Sequence, residues 1–324
     1  MSTALVSLDA LRGAADRIRP VARRTPLLDV EDPESGALFG VKCENLQRTG
    51  SFKLRGAYNM LAQLPPAARE AGVIAYSSGN HAQAVAYAAR HLGIPATIVM
   101  PETAQRVKVE GTRRYGADVI FAGRTSADRQ QRAEQEAAAR GLTIVPPFDH
   151  PWIVAGAGTT GLEILEQQPD VSVIYVPMGG GGQIAGVSAA VKQLRPAVRI
   201  VGVEPAGAAR MAASRAAGHP VALERTASIA DGLLTLRPGD LTFAHVQAFV
   251  DDVVAVADEE IAGAVRWLFS VAKLVAEPSG AATVAAVLRS AVAGSGAVAI
   301  VSGGNVNPDA FAACIAGTSP EAGA

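Results

Sequence analysis

One lysine, two loops bearing serine and asparagine, and one run of glycines carry the chemistry legible in this chain. Lys53 lies in Gly50-Ser51-Phe52-Lys53-Leu54-Arg55-Gly56-Ala57. There Gly50 and Ser51 read as a loop ending in a helix N-cap, with Phe52 and Lys53 in the first helical turn. An ammonium at that end opposes the helix dipole, which lowers its pKa and favours the neutral, nucleophilic amine. A neutral lysine is what Schiff-base chemistry with a carbonyl compound requires. Taken alone, such a lysine is more often a solvated surface group, so the weight falls on the loops around it.

Ser77-Ser78-Gly79-Asn80-His81 sits between an apolar strand-like run and a helical one. Exposed amides and two hydroxyls at a helix start suit a carboxylate, and Asn80 is able to donate to a phenolate oxygen. Pro177-Met178-Gly179-Gly180-Gly181-Gly182-Gln183 follows a buried strand and opens a helix. Its glycines let the backbone approach an anion closely and turn several N–H groups toward it, which points to phosphate. The glycines are contiguous, unlike those of the dinucleotide fingerprint. Val301-Ser302-Gly303-Gly304-Asn305 closes another strand, where a hydroxyl is able to meet the nitrogen of a bound heterocycle. Read singly, the first of these loops is a capped turn and the last a plain one. Together with the lysine they describe the needs of pyridoxal phosphate.

The elements that position these loops alternate. Short apolar runs at Leu38–Cys43, Val73–Tyr76, Ala96–Met100, Asp118–Phe121, Val173–Val176, Ile200–Val203 and Ala297–Val301 are separated by longer helical patterns. Such alternation predicts an α/β protein of mostly parallel sheets with flanking helices. Pro146-Pro147 reads as a hinge, and the segment from Ala206 to Asp240 gives no clear pattern. The 324 residues are enough for two domains. With 49% apolar and 18% charged residues, the chain reads as extensively buried and as a homo-oligomer, dimer or tetramer. A formal net charge of -1 gives no reason to expect nucleic acid or an anionic membrane as partner. Cys43 and Cys314 match no metal or redox spacing and read as buried thiols. The apolar run from Ser279 to Gly304 is divided by Arg289 and glycines into a helix and a strand rather than a membrane span. With no secretory signal pattern, the expected setting is soluble and cytoplasmic.

The set of spaced motifs resembles the threonine dehydratase (threonine ammonia-lyase) and serine racemase group of fold-type II pyridoxal phosphate enzymes. The matching stretches are Ser51-Phe52-Lys53, Ser78-Gly79-Asn80-His81-Ala82-Gln83, Pro146-Pro147-Phe148-Asp149-His150-Pro151, Gly179 to Gly182, Gly202-Val203-Glu204, Ala276-Glu277-Pro278 and Ser302-Gly303-Gly304-Asn305. They run from about Arg24 to Asn307. The resemblance implies two open twisted sheets, tryptophan synthase β-like. Residues 1–61 and 148–324 would form a large cofactor-binding domain and 62–147 a small one. It implies that Lys53 holds pyridoxal 5'-phosphate as a Schiff base beside Phe52. Gly179, Gly180, Gly181 and Gly182 would bind the phosphate, Asn80 the 3′-oxygen and Ser302 the pyridine nitrogen. Ser78 and His81 would hold the substrate carboxylate, Ser78 standing where racemases keep a second acid/base. Arg129 matches an arginine that faces the substrate.

Two departures stand out. The group's usual Gly-Gln-Gly-Thr reads Gly156-Ala157-Gly158-Thr159, which removes a polar side chain near the expected pocket. Metal-binding relatives carry an acid six positions after the counterpart of Glu204, where this chain has Arg210. No hard-metal site is therefore expected, and Arg210 is expected to pair with Glu204 across the loop. No regulatory domain like that of feedback-controlled members is expected. The resemblance implies a lyase acting on a 2-amino-3-hydroxy acid, L-threonine or L-serine, to give a 2-oxo acid and ammonia, with Lys53 taking the α-proton. A racemase of the same fold, a dehydratase for another hydroxy-amino acid and a non-catalytic cofactor binder are the alternatives. A β-replacement synthase is disfavoured, because its lysine and asparagine loops differ.

Overall fold

The computed structural model describes residues 4–104, 106–290 and 296–318. Helix α1 (Leu8–Ile18), capped by the Ser7 hydroxyl, is followed by strands β1 (Leu27–Glu31) and β2 (Leu38–Cys43) and helices α2 (Lys53–Leu61) and α3 (Pro66–Ala71). The middle of the chain alternates β3 (Val73–Tyr76), α4 (Asn80–Leu92), β4 (Ala96–Met100), α5 (Arg106–Arg114), β5 (Asp118–Phe121), α6 (Ser126–Arg140) and β6 (Thr143–Ile144). Then come α7 (Pro151–Gln167), β7 (Val173–Pro177), α8 (Gly182–Leu194), β8 (Arg199–Pro205), α9 (Arg210–Ala217), α10 (Asp240–Phe249) and β9 (Asp252–Val256). Helices α11 (Asp258–Ser270) and α12 (Pro278–Ser290), strand β10 (Ala297–Val301) and helix α13 (Pro308–Ala316) complete the order.

The strands form two sheets, a six-stranded one ordered β1-β2-β10-β7-β8-β9 and a four-stranded one ordered β5-β4-β3-β6. All pairs are parallel except β1 with β2. Both sheets carry helices, so central strands such as β7 (Val-Ile-Tyr-Val-Pro) and β10 (Ala-Val-Ala-Ile-Val) are buried throughout and read as continuous apolar runs. Parallel pairing has a functional consequence. Strands β2, β10 and β7 are neighbours running the same way, so their carboxyl ends deliver three loops to one edge.

Helices α2, α7 and α8 pack backbone to backbone. A Cβ on Gly156 would stand 2.4 Å from Arg55 O, and one on Gly186 would stand 2.2 Å from Val154 O and 2.4 Å from Gly158 N. The Gly156 and Gly158 positions are thus required by close approach. A second clamp on α2 is ionic. Arg55, fully buried, donates to both Glu44 carboxylate oxygens (2.7 and 2.8 Å) and both Glu163 oxygens (2.7 and 2.9 Å). Lys42 donates to Glu163 (2.6 Å), Gln167 (2.7 Å) and Thr25 O (2.8 Å). Two cations against two carboxylates leave this buried cluster balanced.

Strands β2, β3, β4, β5 and β10 and helix α6 lie on the residues the sequence pattern predicts. Of the apolar run from Ser279 to Gly304, residues 291–295 lie outside the described part, as does residue 105 in the predicted helix from Ala104 to Tyr115. Both cysteines are buried free thiols, and burial pushes Cys43 up to about 12. Among the described residues no helix is long and apolar enough to cross a membrane.

Candidate active site

Lys53 lies at the start of α2, where its turn meets the loop after β10 and the Pro146-Pro147 hinge. Helix α2 begins one residue later than the sequence predicts: Phe52 is the N-cap and Lys53 the first helical residue. Ser51 forms a bridge with Gly303 instead, and Phe52 N–H donates to Ser302 O (3.0 Å). The lysine is thereby stitched to the loop after β10, because two backbone segments pair where a side-chain cap was expected. Lys53 Nζ donates to Pro147 O at 2.7 Å and lies 5.2 Å from the centre of the Phe52 ring. Burial pulls the amine down to about 8, against an opposing pull from Glu277.

Glu277 is the member that sequence reasoning missed. Its motif, Ala276-Glu277-Pro278, was legible as a match, but nothing local told what the acid meets. It is 5% exposed, and Asn80 Nδ2 donates to its Oε1 at 2.6 Å. Burial, aided by the nearby Asp231, raises its carboxyl to about 8. Asn80 Oδ1 accepts from Asn305 Nδ2 (2.7 Å), whose amide also reaches Thr49 O (2.8 Å). Asn80 is thus oriented from two sides, and its second Nδ2 hydrogen has no partner among the described residues.

The glycine run forms a cradle whose polarity is sorted by face. On one side every carbonyl is occupied. Gly180 O accepts from Thr242 Oγ1 (2.6 Å) and Gly239 N (3.2 Å), Gly181 O from Ala185 N (2.9 Å), and Met178 O and Gly179 O from Arg210 (2.5 and 3.0 Å). On the other side, the N–H groups of Gly179 to Gly182 meet no acceptor among the described residues. Gly181 takes φ +98°, and Cβ atoms on Gly180 and Gly182 would stand 2.4 and 2.9 Å from Phe148 atoms. Free amides at the start of a 13-residue helix fit a phosphate dianion. The hinge segment ties lysine and cradle together through consecutive residues. Pro147 O holds Lys53, the Phe148 ring packs on Gly180, and the Asp149 carboxylate caps α10 through Asp240 N and Thr242 N.

The remaining expected residues divide. Ser302 is buried at the end of β10, beside the Lys53 turn. Ser78 lies just before α4, partly exposed. His81 is 4% exposed, and its Nε2 lies 2.9 Å from Val145 O. Burial first, then the Lys53 charge, lowers the ring to about 3, so it is neutral at pH 7. With Nε2–H donated to a carbonyl, Nδ1 is an acceptor and cannot bind a carboxylate. A carboxylate at this loop would take backbone N–H groups at the α4 start instead. Arg129 is not brought to the group by any of its contacts, since its guanidinium bonds to Arg124 O and Ser126 Oγ at its own helix start. The expected Glu204–Arg210 ion pair does not form. The Glu204 carboxylate accepts the Met211 and Ala212 amides (3.0 and 2.9 Å), and Arg210 turns to the glycine loop.

The chain and its architecture have close counterparts in known proteins. An L-threonine ammonia-lyase of Thermotoga maritima is 44% identical over 306 residues, covering 94% of this chain and 76% of that one. An L-threo-3-hydroxyaspartate ammonia-lyase of a Pseudomonas species is 42% identical, covering 94% and 97%. The solved structure of maize serine racemase superposes with a TM-score of 0.91 at 38% identity, covering 95% of this chain and 96% of that one. These place the fold among the fold-type II enzymes, in the threonine dehydratase and serine racemase group. The model of the family described as pyridoxal-phosphate dependent enzyme matches residues 18–303, a span that holds the lysine, the cradle, the Ser77–His81 loop and Ser302. With a buried lysine, a phosphate-shaped cradle and that match in agreement, the chain belongs to the pyridoxal-phosphate dependent enzyme family, with pyridoxal phosphate as its cofactor.

Proposed function

We propose that the protein is an ammonia-lyase that converts a 2-amino-3-hydroxy acid, L-threonine or L-serine, to a 2-oxo acid and ammonia. The observation that carries this reading is the depressed, partly buried Lys53 amine, linked to the cradle through Pro147 and Phe148 and to Asn80 through Glu277. The bound cofactor supplies a carbonyl group and an electron sink that acidifies the α-hydrogen of an attached amino acid. Lys53 Nζ is the residue placed to hold the cofactor and then to take that proton, because burial keeps much of it neutral near pH 8. Gly179 to Gly182 hold the phosphate, Phe52 flanks the ring, Asn80 holds the 3′-oxygen and Ser302 faces the pyridine nitrogen. Ser78 and the amides at the α4 start hold the substrate carboxylate, with His81 as a neutral buttress fixed to Val145 O. Loss of the α-proton and the β-hydroxyl removes one water, and hydrolysis of the released enamine gives the 2-oxo acid and ammonia. Identities of 44% and 42% to two ammonia-lyases, against 38% to a serine racemase at similar coverage, support elimination as the main reaction.

A second reading, amino-acid racemisation, is favoured by one observation: Ser78 stands on a different loop from Lys53, between β3 and α4, where a two-base mechanism would draw its second group. The deciding experiment incubates the cofactor-loaded protein with L-threonine, L-serine, D-serine and L-threo-3-hydroxyaspartate. Ammonia, 2-oxo acid and the two enantiomers are then quantified. A 2-oxo acid with equimolar ammonia from L-threonine or L-serine is the expected result. Interconversion of the serines without ammonia would replace the lyase reading with the racemase one.

A further inference from the structure

Arg210 is wholly buried and, among the described residues, meets no carboxylate within ion-pair distance, an expensive position for a guanidinium. Its whole fork is spent on main-chain carbonyls: Met178 O, Gly179 O and Ala208 O. The first two are the opening residues of the glycine cradle. In a trans peptide the carbonyl of one residue and the N–H of the next point in opposite directions. Holding Met178 O therefore aims the Gly179 N–H, and holding Gly179 O aims the Gly180 N–H, away from the arginine and toward the open face. Thr242 does the same for Gly181 through Gly180 O. A charged donor also polarises each peptide it binds, which strengthens the amide on the far side. Glu204, bonded to the first amides of α9, supplies the neutralising charge nearby without competing for the guanidinium.

We propose that Arg210 is a positioning residue that sets the affinity of the cradle for the cofactor phosphate. It aims the Gly179 and Gly180 amides and places a fixed positive charge behind them. The inference rests on the assignment of the cradle to that phosphate.

The test compares pyridoxal 5'-phosphate with pyridoxal, which shares the aldehyde and ring but lacks the phosphate. Both are titrated into cofactor-free wild-type, Arg210→Met and Arg210→Lys protein, with binding read from imine absorbance. Arg210→Met is expected to weaken pyridoxal phosphate binding at least tenfold while leaving pyridoxal within twofold. Arg210→Lys, which keeps the charge but not the fork, falls between. Equal weakening of both ligands, or no weakening of either, overturns the proposal. Where Arg210→Met does not fold, Arg210→Lys decides. A fall of threefold or more in its preference for the phosphorylated ligand supports the role, and an unchanged preference overturns it. A wild-type protein that binds both ligands equally overturns the cradle assignment and the arginine's role with it. A wild-type preference that survives Arg210→Met overturns the arginine's role alone.

Discussion

Lys53 owes its lowered pKa to burial first, more than to the helix end that made it visible in the sequence. The sign of the pH dependence follows. Its folded-state value of about 8 lies below the ordinary 10.5, so the neutral, reactive fraction grows as the pH rises toward 8. The rate at which cofactor-free protein captures pyridoxal phosphate should therefore climb close to tenfold per pH unit from 6 to about 7.5 and flatten above about 8. Stopped-flow absorbance would read it, and a profile still climbing at pH 10 would describe an ordinary lysine. Lys53→Ala should abolish turnover while circular dichroism and melting change little, since one amine at a helix start contributes little packing. Retained wild-type turnover would remove Lys53 as the base. Ser78→Ala should damage serine racemisation more than elimination, because only racemisation needs a proton donor on each face of the α-carbon. Equal loss of both activities would reduce Ser78 to substrate positioning. At this scale the sequence was legible wherever a residue's own type suggested a role, as it did for Lys53, Asn80 and the glycines. Glu277 and His81 were not, because what surrounds them sets their protonation: an apolar pocket with Asp231 for one, a carbonyl with Lys53 for the other.

The helices that hold the lysine are fixed by two devices of different visibility. Gly156-Ala157-Gly158 stood out as a departure in polarity, yet its glycines act sterically, letting α7 approach both α2 and α8. The buried Arg55–Glu44–Glu163–Lys42 cluster could not be read at all, since Glu163 comes from α7, more than a hundred residues after the other three. The unpatterned segment from Ala206 to Asp240 shows the same limit. Helix α10 lacks a local cap because Asp149, about ninety residues earlier, supplies it. Arg55→Met should leave two buried carboxylates facing Lys42 alone and lower stability by about 3–5 kcal/mol. Arg24→Ala breaks a pair with Glu166 whose side chains are 55% and 61% exposed, and should change stability by no more than about 0.5 kcal/mol. Urea melts of the two variants beside wild type measure the contrast. Comparable losses would show that the buried cluster contributes no more than a surface pair.

At the scale of the molecule, the site is built from loops of both sheets: Ser78 and Asn80 follow β3 of the four-stranded sheet, while Gly179–Gly182 and Ser302 follow β7 and β10 of the six-stranded one. The alternating pattern revealed that sheets would be parallel and that functional loops would sit at strand ends. It did not reveal that β10, near the end of the chain, inserts between β2 and β7 and so brings Ser302 against the Lys53 turn. A ligand contacting loops of both sheets binds only when both are folded and correctly placed, so its binding energy stabilises their arrangement. Cofactor at one hundred times its dissociation constant should add about 2.7 kcal/mol, a rise of roughly 4 °C in melting temperature by the usual scaling. Pyridoxal at the same concentration should give a smaller rise, since it reaches Lys53 and Asn80 but leaves the cradle empty. Lys53→Ala should retain part of the pyridoxal phosphate effect, because the cradle and the Asn80 loop still hold the cofactor without the covalent bond. Thermal melts of the cofactor-free and loaded forms test all three expectations. A loaded wild-type protein that melts no higher than the cofactor-free one would mean that the ligand does not join the two sheets, and the site as assembled from their loops would be wrong.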